Sequence, residues 1–279
     1  MKRKIICIIG LGLMGGSLAA ACRKKFPSAR ILGVSRDPKA LRTALRRKWI
    51  HEGSADLSKA VSRANLVVIC TPVDTLKAIL VKIDKSAKSG TLVTDVGSVK
   101  GEIARQVKAL HLRRIHFIGA HPMTGSHERG ILVARPDLYD HGFTFVTREK
   151  AVPSKAFSAI KTFWEKISPK VFVVSAAEHD QIAGEVSHLP HLLAFCLALA
   201  VPKKSQHFAG PSFLDMTRIA QGHPSVWAPI FRANRQALLK ALEHFEGRSR
   251  EFKKALRKRD FRLEKMITLA RQKRRQISL

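Results

Sequence analysis

IICIIGLGLMGGSLAAAC, residues 5 to 22, sets an apolar run against four glycines and a stretch of small residues. Five apolar residues in a row have the length of a buried strand, and the alanine-rich stretch that follows reads as a helix. Between them Gly10, Gly12 and Gly15 keep the spacing G-x-G-x-x-G, with Leu13 and Met14 inside it. The first glycine permits a tight turn. The second lets backbone N–H groups approach a pyrophosphate at the helix N-terminus, and the third lets helix and strand pack closely. Such spacing is common by chance, but directly after a strand, before a helix and ahead of a second strand RILGVS (residues 30–35), it predicts a dinucleotide site.

The same alternation continues outward. LVVICT (66–71), TLVTDV (91–96) and HFIGA (116–120) read as further strands separated by helical segments, and GFTFVT (142–147) and KVFVVS (170–175) flank a helical stretch from 154 to 166. Strands alternating with helices predict an α/β, Rossmann-like, doubly wound parallel sheet. After Ser175 the strand signals stop, and residues 176–200, 225–245 and 249–275 all have helical spacing. The expected organisation is a dinucleotide-binding domain over 1–174 and an all-α domain over 175–279, joined by a long helix that begins near Ser175.

Composition narrows the class. The chain has 279 residues, 45% hydrophobic and 26% charged, which is globular, and no run approaches the roughly 18 consecutive apolar residues of a membrane span. The basic, apolar start imitates a signal peptide, but the glycine fingerprint occupies it. Cys7, Cys22, Cys70 and Cys196 are scattered, without C-x-x-C or zinc spacing, so neither a disulfide framework nor a metal site is expected. A cytoplasmic protein fits. The formal charge of +30 attracts anions without choosing among them. Much of it lies in residues 248–279, where Phe252, Leu256, Leu263 and Ile267 recur as an apolar stripe. Helical periodicity predicts that this stripe packs inward and the basic face is solvated, and the thin aromatic content argues against a nucleic-acid groove.

Three strand ends carry candidate chemistry. Ser35 and Arg36 end the second strand, where NAD-binding domains usually place a carboxylate; a hydroxyl and a guanidinium there suit a 2′-phosphate, so NADP is expected ahead of NAD. Asp37, one residue later, serves NAD if the strand ends late. Thr71-Pro72 and Asp95-Val96-Gly97-Ser98 lie at the carboxyl ends of strands, where open α/β sheets bind ligands, and Ser98 also suits a helix cap. GAHPMTGSHERG (119–130) puts His121 after a strand, in a loop stiffened by Pro122, on the edge expected to face a nicotinamide. A histidine there suits acid/base work.

GLGLMGGSLA, DVGSVK, GAHPMTGS, EVSHLPHLLAFCLA and DMTRIAQGHPSVW, in this order, resemble the prephenate/arogenate dehydrogenases of tyrosine biosynthesis over nearly the whole chain. The resemblance implies a Rossmann-like domain, a helical dimerisation domain, a homodimer and the oxidative decarboxylation of a cyclohexadienol. It implies that His121 takes the proton of the ring hydroxyl and that Ser98 orients this histidine and the hydroxyl. His191 and Arg218 then bind substrate, the arginine through a carboxylate, with Trp227 nearby and with Ser126 and His127 in the loop beside the pocket. Members often carry an acidic residue at the position of His127. Its absence leans toward prephenate over arogenate, whose ammonium wants a carboxylate, though Asp137 or Asp215 supplies one in an alternative reading.

From the residues alone, His127, His179 and His223 read as surface loop or cap positions, and His188 is left open between a helix-end feature and a site residue. Arg218 at i, i+3 from Asp215 also suits a surface ion pair. The chain leaves no room for an appended regulatory domain, so any feedback by product is expected at the active site. Two other readings stand beside the dehydrogenase: a β-hydroxyacid dehydrogenase or imine reductase, which wants a lysine that residues 176–200 lack, and a non-catalytic nucleotide- or nucleic-acid-binding protein.

Overall fold

The computed structural model describes residues 4–126, 128–258 and 261–277. Its first part runs β1 (Ile5–Ile9), α1 (Leu13–Lys25), β2 (Arg30–Val34), α2 (Pro38–Arg46), β3 (Glu52–Ser54), α3 (Leu57–Val61), β4 (Leu66–Ile69), α4 (Leu76–Ser86), β5 (Thr91–Asp95), α5 (Gly101–Leu110) and β6 (Ile115–Phe117). Then come β7 (Ala120–Pro122), β8 (Phe143–Thr147), α6 (Ser154–Ile167) and β9 (Lys170–Val174). The rest is helical: α7 (Ala176–Ala183), a π-turn (Gly184–His188), α8 (Leu189–Ala200), α9 (Lys203–Gln206), α10 (Pro211–Thr217), a 3-10 turn (Arg218–Gln221), α11 (Pro224–Ala233), α12 (Arg235–Lys258) and α13 (Arg262–Gln276).

Six parallel strands stand in the order β3-β2-β1-β4-β5-β6, the doubly wound arrangement whose order reverses beside β1. Alternation along β1 shows why the strand is apolar throughout. Ile6 and Ile8 join a core with Leu18 of α1 and Trp164 of α6, while Cys7 and Ile9 join one with Leu80 and Ile83 of α4. A strand covered on both faces needs no polar side. β3 went unread because Glu52–Ser54 has no apolar residue to mark it; its pairing with β2 rests on backbone hydrogen bonds.

HFIGA is two elements rather than one strand. β6 closes the parallel sheet at Phe117, and β7 belongs to a second sheet, β7-β8-β9, pairing antiparallel with β8. The switch has a local cause: the N–H of Ala120 donates to Asp95 Oδ1 at 3.0 Å, and a side chain at Gly119 would meet Thr147 Oγ1 and Lys100. His121 therefore sits inside a strand, opposite Phe145, and not in a loop.

α7, the π-turn and α8 form one helical run, Ala176–Ala200, which is also long and apolar enough to cross a membrane. Its first half contributes His179, Asp180 and His188 to a buried polar network reaching the parallel sheet's edge, whereas α8 buries only Ala194. The expected inward stripe of the C-terminal helices is not found: Leu256 is 62% exposed, Ile267 54%, and no described residue of α13 is buried. The periodicity is real, but among the described residues α13 packs mainly along α12, and its apolar face stays largely uncovered.

Candidate active site

The three glycines occupy three different environments. Gly10 has φ +90°, and a side chain there would meet Thr71 and the carbonyl of Cys70. Gly12 is the N-cap of α1 and has open space around it. Gly15 packs against the carbonyl oxygen of Gly10, which a Cβ would overlap. The N-terminus of α1 carries no side-chain cap and no acidic residue in its first turn, so its N–H groups and dipole are open to a phosphate. Leu13 is buried beneath the turn, and the carbonyl of Met14 accepts from Tyr139 Oη at 2.9 Å, leaving the N–H side of the turn as the approach.

At the end of β2, Ser35 Oγ accepts from the N–H of Asp37, and Asp37 caps α2 by accepting from Lys39 N at 2.8 Å. The carboxylate is thereby engaged by its own helix while Arg36 is exposed and pairs with no described acid. Across the switch point, Thr71 shares a 2.8 Å hydrogen bond with Thr75, which also donates to the carbonyl of Pro72, shaping the turn after β4.

A buried polar cluster lies where β7 meets α7. His121 Nδ1 is 2.8 Å from His179 Nε2, and His179 Nδ1 is 2.9 Å from Asp180 Oδ1. Asp180 also accepts from the N–H groups of Lys100 (2.7 Å) and Gly101 (2.8 Å) at the start of α5. Burial alone would raise the Asp180 carboxyl, but the hydrogen bonds from His179 and these two N–H groups outweigh it and hold it below its usual value. A carboxylate accepts only, so His179 donates through Nδ1–H and its Nε2 is an acceptor. His121 must then donate from Nδ1, which leaves its Nε2 without a proton. Burial, then the neighbouring His179, Lys100 and His188, push the His121 pKa well below 6.5, so this lone pair is available at neutral pH.

A second buried set fixes the loop beneath. Lys100 Nζ donates to Asp95 Oδ2 at 2.5 Å, with exposures of 1% and 0%, so this pair is wholly removed from solvent. Asp95 also accepts from Gly97 N and Ala120 N, tying the end of β5 and the Ser98 turn to the strand that carries His121. Ser98 itself makes no hydrogen bond to His121 among the described residues. The histidine is oriented by His179, which is fully buried although its local sequence places it at the surface.

One turn beyond, the His191 ring stacks on Trp227 at 3.6 Å and 24°, with His191 Nδ1 donating to the carbonyl of Ser187. Burial lowers the His191 pKa, the hydrogen bond to Ser187 works against it, and Arg218, opening the 3-10 turn, adds a smaller lowering through its charge. The arginine is exposed and forms no ion pair with Asp215 among the described residues, so the surface-pair alternative is not what the fold builds. Ser126 lies exposed, its hydroxyl accepting from Glu128 N; His127 falls outside the described residues. His223 caps α11, as expected. Missed from the sequence were His179, Asp180 and Asn234, whose Nδ2 donates to the Asp180 carbonyl at 2.8 Å. The adjacent His179-Asp180 pair just inside a helix start was the available signal.

Residues 18–173 match the family model described as the nucleotide-binding domain of prephenate dehydrogenase, and residues 175–270 match that of its dimerization domain. The chain belongs to the prephenate dehydrogenase family. Within this family it is 30% identical over 265 residues to the prephenate dehydrogenase of Lactococcus lactis, covering 92% of this chain and 72% of that one. It is equally 30% identical to the cyclohexadienyl dehydrogenase of Zymomonas mobilis, over 92% of this chain and 90% of that one. Among solved structures, prephenate dehydrogenase from Aquifex aeolicus in complex with hydroxyphenyl propionate and NAD+ superposes with a TM-score of 0.91 at 29% identity, covering 100% and 99% of the two chains. Arogenate dehydrogenase from Synechocystis gives 0.82 at 27%, covering 97% and 98%. A 3-hydroxyisobutyrate dehydrogenase from Salmonella typhimurium, at 16% identity and 0.59, shares the fold alone.

Proposed function

We propose that this prephenate dehydrogenase family member oxidises prephenate to 4-hydroxyphenylpyruvate and CO2, and that His121 Nε2 is the base. The observation that carries the reading is the Asp180–His179–His121 chain, which leaves an unprotonated ring nitrogen at the edge where a dinucleotide would end. The glycine turn fits that cofactor: open space at Gly12 and a bare helix N-terminus suit a pyrophosphate. Bound there, the nicotinamide supplies the hydride acceptor.

The chain's own groups do the rest. His121 takes the hydroxyl proton as the carbon–hydrogen bond of the carbinol breaks, and the imidazolium that forms is stabilised through His179 by the Asp180 carboxylate. The carbon–carboxylate bond then breaks and its electron pair makes the ring aromatic. Arg218 suits the substrate carboxylates because its planar fork binds them bidentately, with His191, braced by Trp227, beside it. Ser98, in the turn between β5 and α5, serves the ring hydroxyl.

The cofactor is assigned as NADP ahead of NAD because Arg36 is exposed at the end of β2 while Asp37 is spent as a cap. The division of labour is placed at Ser175, with residues 175–279 forming the substrate and dimerisation part of a homodimer in the cytoplasm. Initial rates with prephenate and arogenate, each with NAD+ and NADP+, test the reading. Prephenate with NADP+ is expected to be fastest; arogenate at equal or better kcat/KM overturns the substrate assignment, and an unchanged preference in Ser35→Asp/Arg36→Ile overturns the cofactor assignment.

A further inference from the structure

Among the described residues, one buried side-chain nitrogen stands without a hydrogen-bond partner, Nε2 of His188. His188 is fully buried and is the last residue of the π-turn, an irregularity that often marks functional positions. Its other nitrogen is engaged: Nδ1 lies 3.0 Å from Asn234 Nδ2, and the same amide nitrogen is 2.8 Å from the carbonyl oxygen of Asp180. A carbonyl oxygen can only accept, so the Asn234 amide points its NH2 that way, and its second hydrogen goes to His188. Nδ1 is therefore an acceptor and the His188 proton is on Nε2.

The Ser98 backbone lies near enough to act on the His188 imidazole as an acceptor does, although no hydrogen bond to it forms. Asp180 and His179 on α7 and His191 on α8 are the other titratable groups around it. Catalytic hydrogen bonds are often long or poorly aligned before substrate binds. A buried donor with no partner needs an explanation, and an approach by the peptide carbonyl of Ser98 provides one.

We propose that Asn234 and His188 are positioning residues of the dehydrogenase reaction: Asn234 holds His188 in its Nε2–H form, and that N–H takes the Ser98 carbonyl when substrate closes the site. Asn234 thus joins the support of both reacting groups, Asp180–His179 behind His121 and His188 behind Ser98. The inference rests on the dehydrogenase reading above.

The test is steady-state kinetics with prephenate on His188→Leu, His188→Gln and Asn234→Asp, with melting curves to confirm folding. Misplacement of a hydroxyl lowers the rate of the chemical step. His188→Leu is expected to lower kcat about 10- to 100-fold while KM for substrate and cofactor stays within about threefold. His188→Gln carries an N–H at the same number of bonds from Cβ and is expected to recover kcat to within about fivefold of wild type. Asn234→Asp, whose carboxylate forces the His188 proton onto Nδ1, is expected to fall with the leucine variant; if it does not fold, the Leu and Gln pair decides. Wild-type kcat in His188→Leu, a loss that His188→Gln does not recover, or a loss confined to KM overturns the proposal. No turnover in wild type overturns the dehydrogenase reading itself.

Discussion

Replacing His179 by Phe removes the link between Asp180 and His121 without opening a large hole. His179 is fully buried and packs edge-on against Phe145 at 5.4 Å, a contact that a phenyl ring retains. Two hydrogen bonds disappear. His121 Nδ1–H loses its acceptor at 2.8 Å, so the form with a free Nε2 is no longer selected; a buried N–H left unpaired costs about 1–3 kcal/mol. The imidazolium formed during the reaction also loses its route to the Asp180 carboxylate, a charge-assisted contribution of about 1.5–3 kcal/mol. Together these raise the barrier by about 2.5–6 kcal/mol, or roughly 10²–10⁴-fold in kcat. His179→Gln offers an acceptor to His121 and a donor to Asp180 and should retain kcat to within roughly tenfold. The assay is the rate of reduced-cofactor formation under saturating prephenate, with cofactor affinity measured separately and unchanged. A His179→Phe protein that folds, binds cofactor and keeps kcat within about threefold refutes the argument.

The buried histidines make stability pH-dependent. Burial lowers His121 and His179 below 6.5 and takes His188 down to about 4, so the unfolded chain binds protons first as pH falls. Their contribution is intact above about pH 6.5 and is lost as pH drops toward the folded values, so Tm should fall progressively from about 6.5 to about 4; a flat Tm across that window contradicts it. Activity needs neutral His121, so the acidic limb of the kcat profile should lie well below pH 6.5, and a midpoint at or above that value counts against His121 as the base. The glycines should separate binding from folding. Gly12→Val, into open space, should leave Tm nearly unchanged and weaken cofactor binding at least about tenfold, whereas Gly15→Val should lower Tm because its Cβ meets the Gly10 carbonyl; titration of reduced cofactor and melting curves on both variants check this.

The cofactor half was legible because its information is local. Gly10, Gly12 and Gly15 fall within six residues, and each strand of the parallel sheet that is covered on both faces announces itself as an apolar run. His121 was legible from its place after a strand beside the dinucleotide site, whereas His191, Arg218 and Trp227 rested on motif resemblance, and the fold sets those three together around one stacked pair. His179 was not legible: its partner lies 58 positions away, and the pairing exists only because Asp95 captures Ala120 N–H and sends β7 into a second sheet against α7. Near a helix start with an exposed capping box at Ser175 and Glu178, a histidine looks solvated by every local rule. The C-terminal stripe failed for the opposite reason. Its periodicity says which face is apolar, but only a partner surface decides whether that face is covered, and within one chain α13 meets little beyond α12.

The most direct test of the central claim is kcat with prephenate for wild type and His121→Asn, alongside cofactor titration of both. Turnover in wild type that drops by about 10³-fold or more in the variant, with cofactor affinity preserved, is the expected result for loss of a base fixed by His179 and Asp180. Comparable kcat in the two proteins, both folded and both holding cofactor, would mean that another group takes the hydroxyl proton.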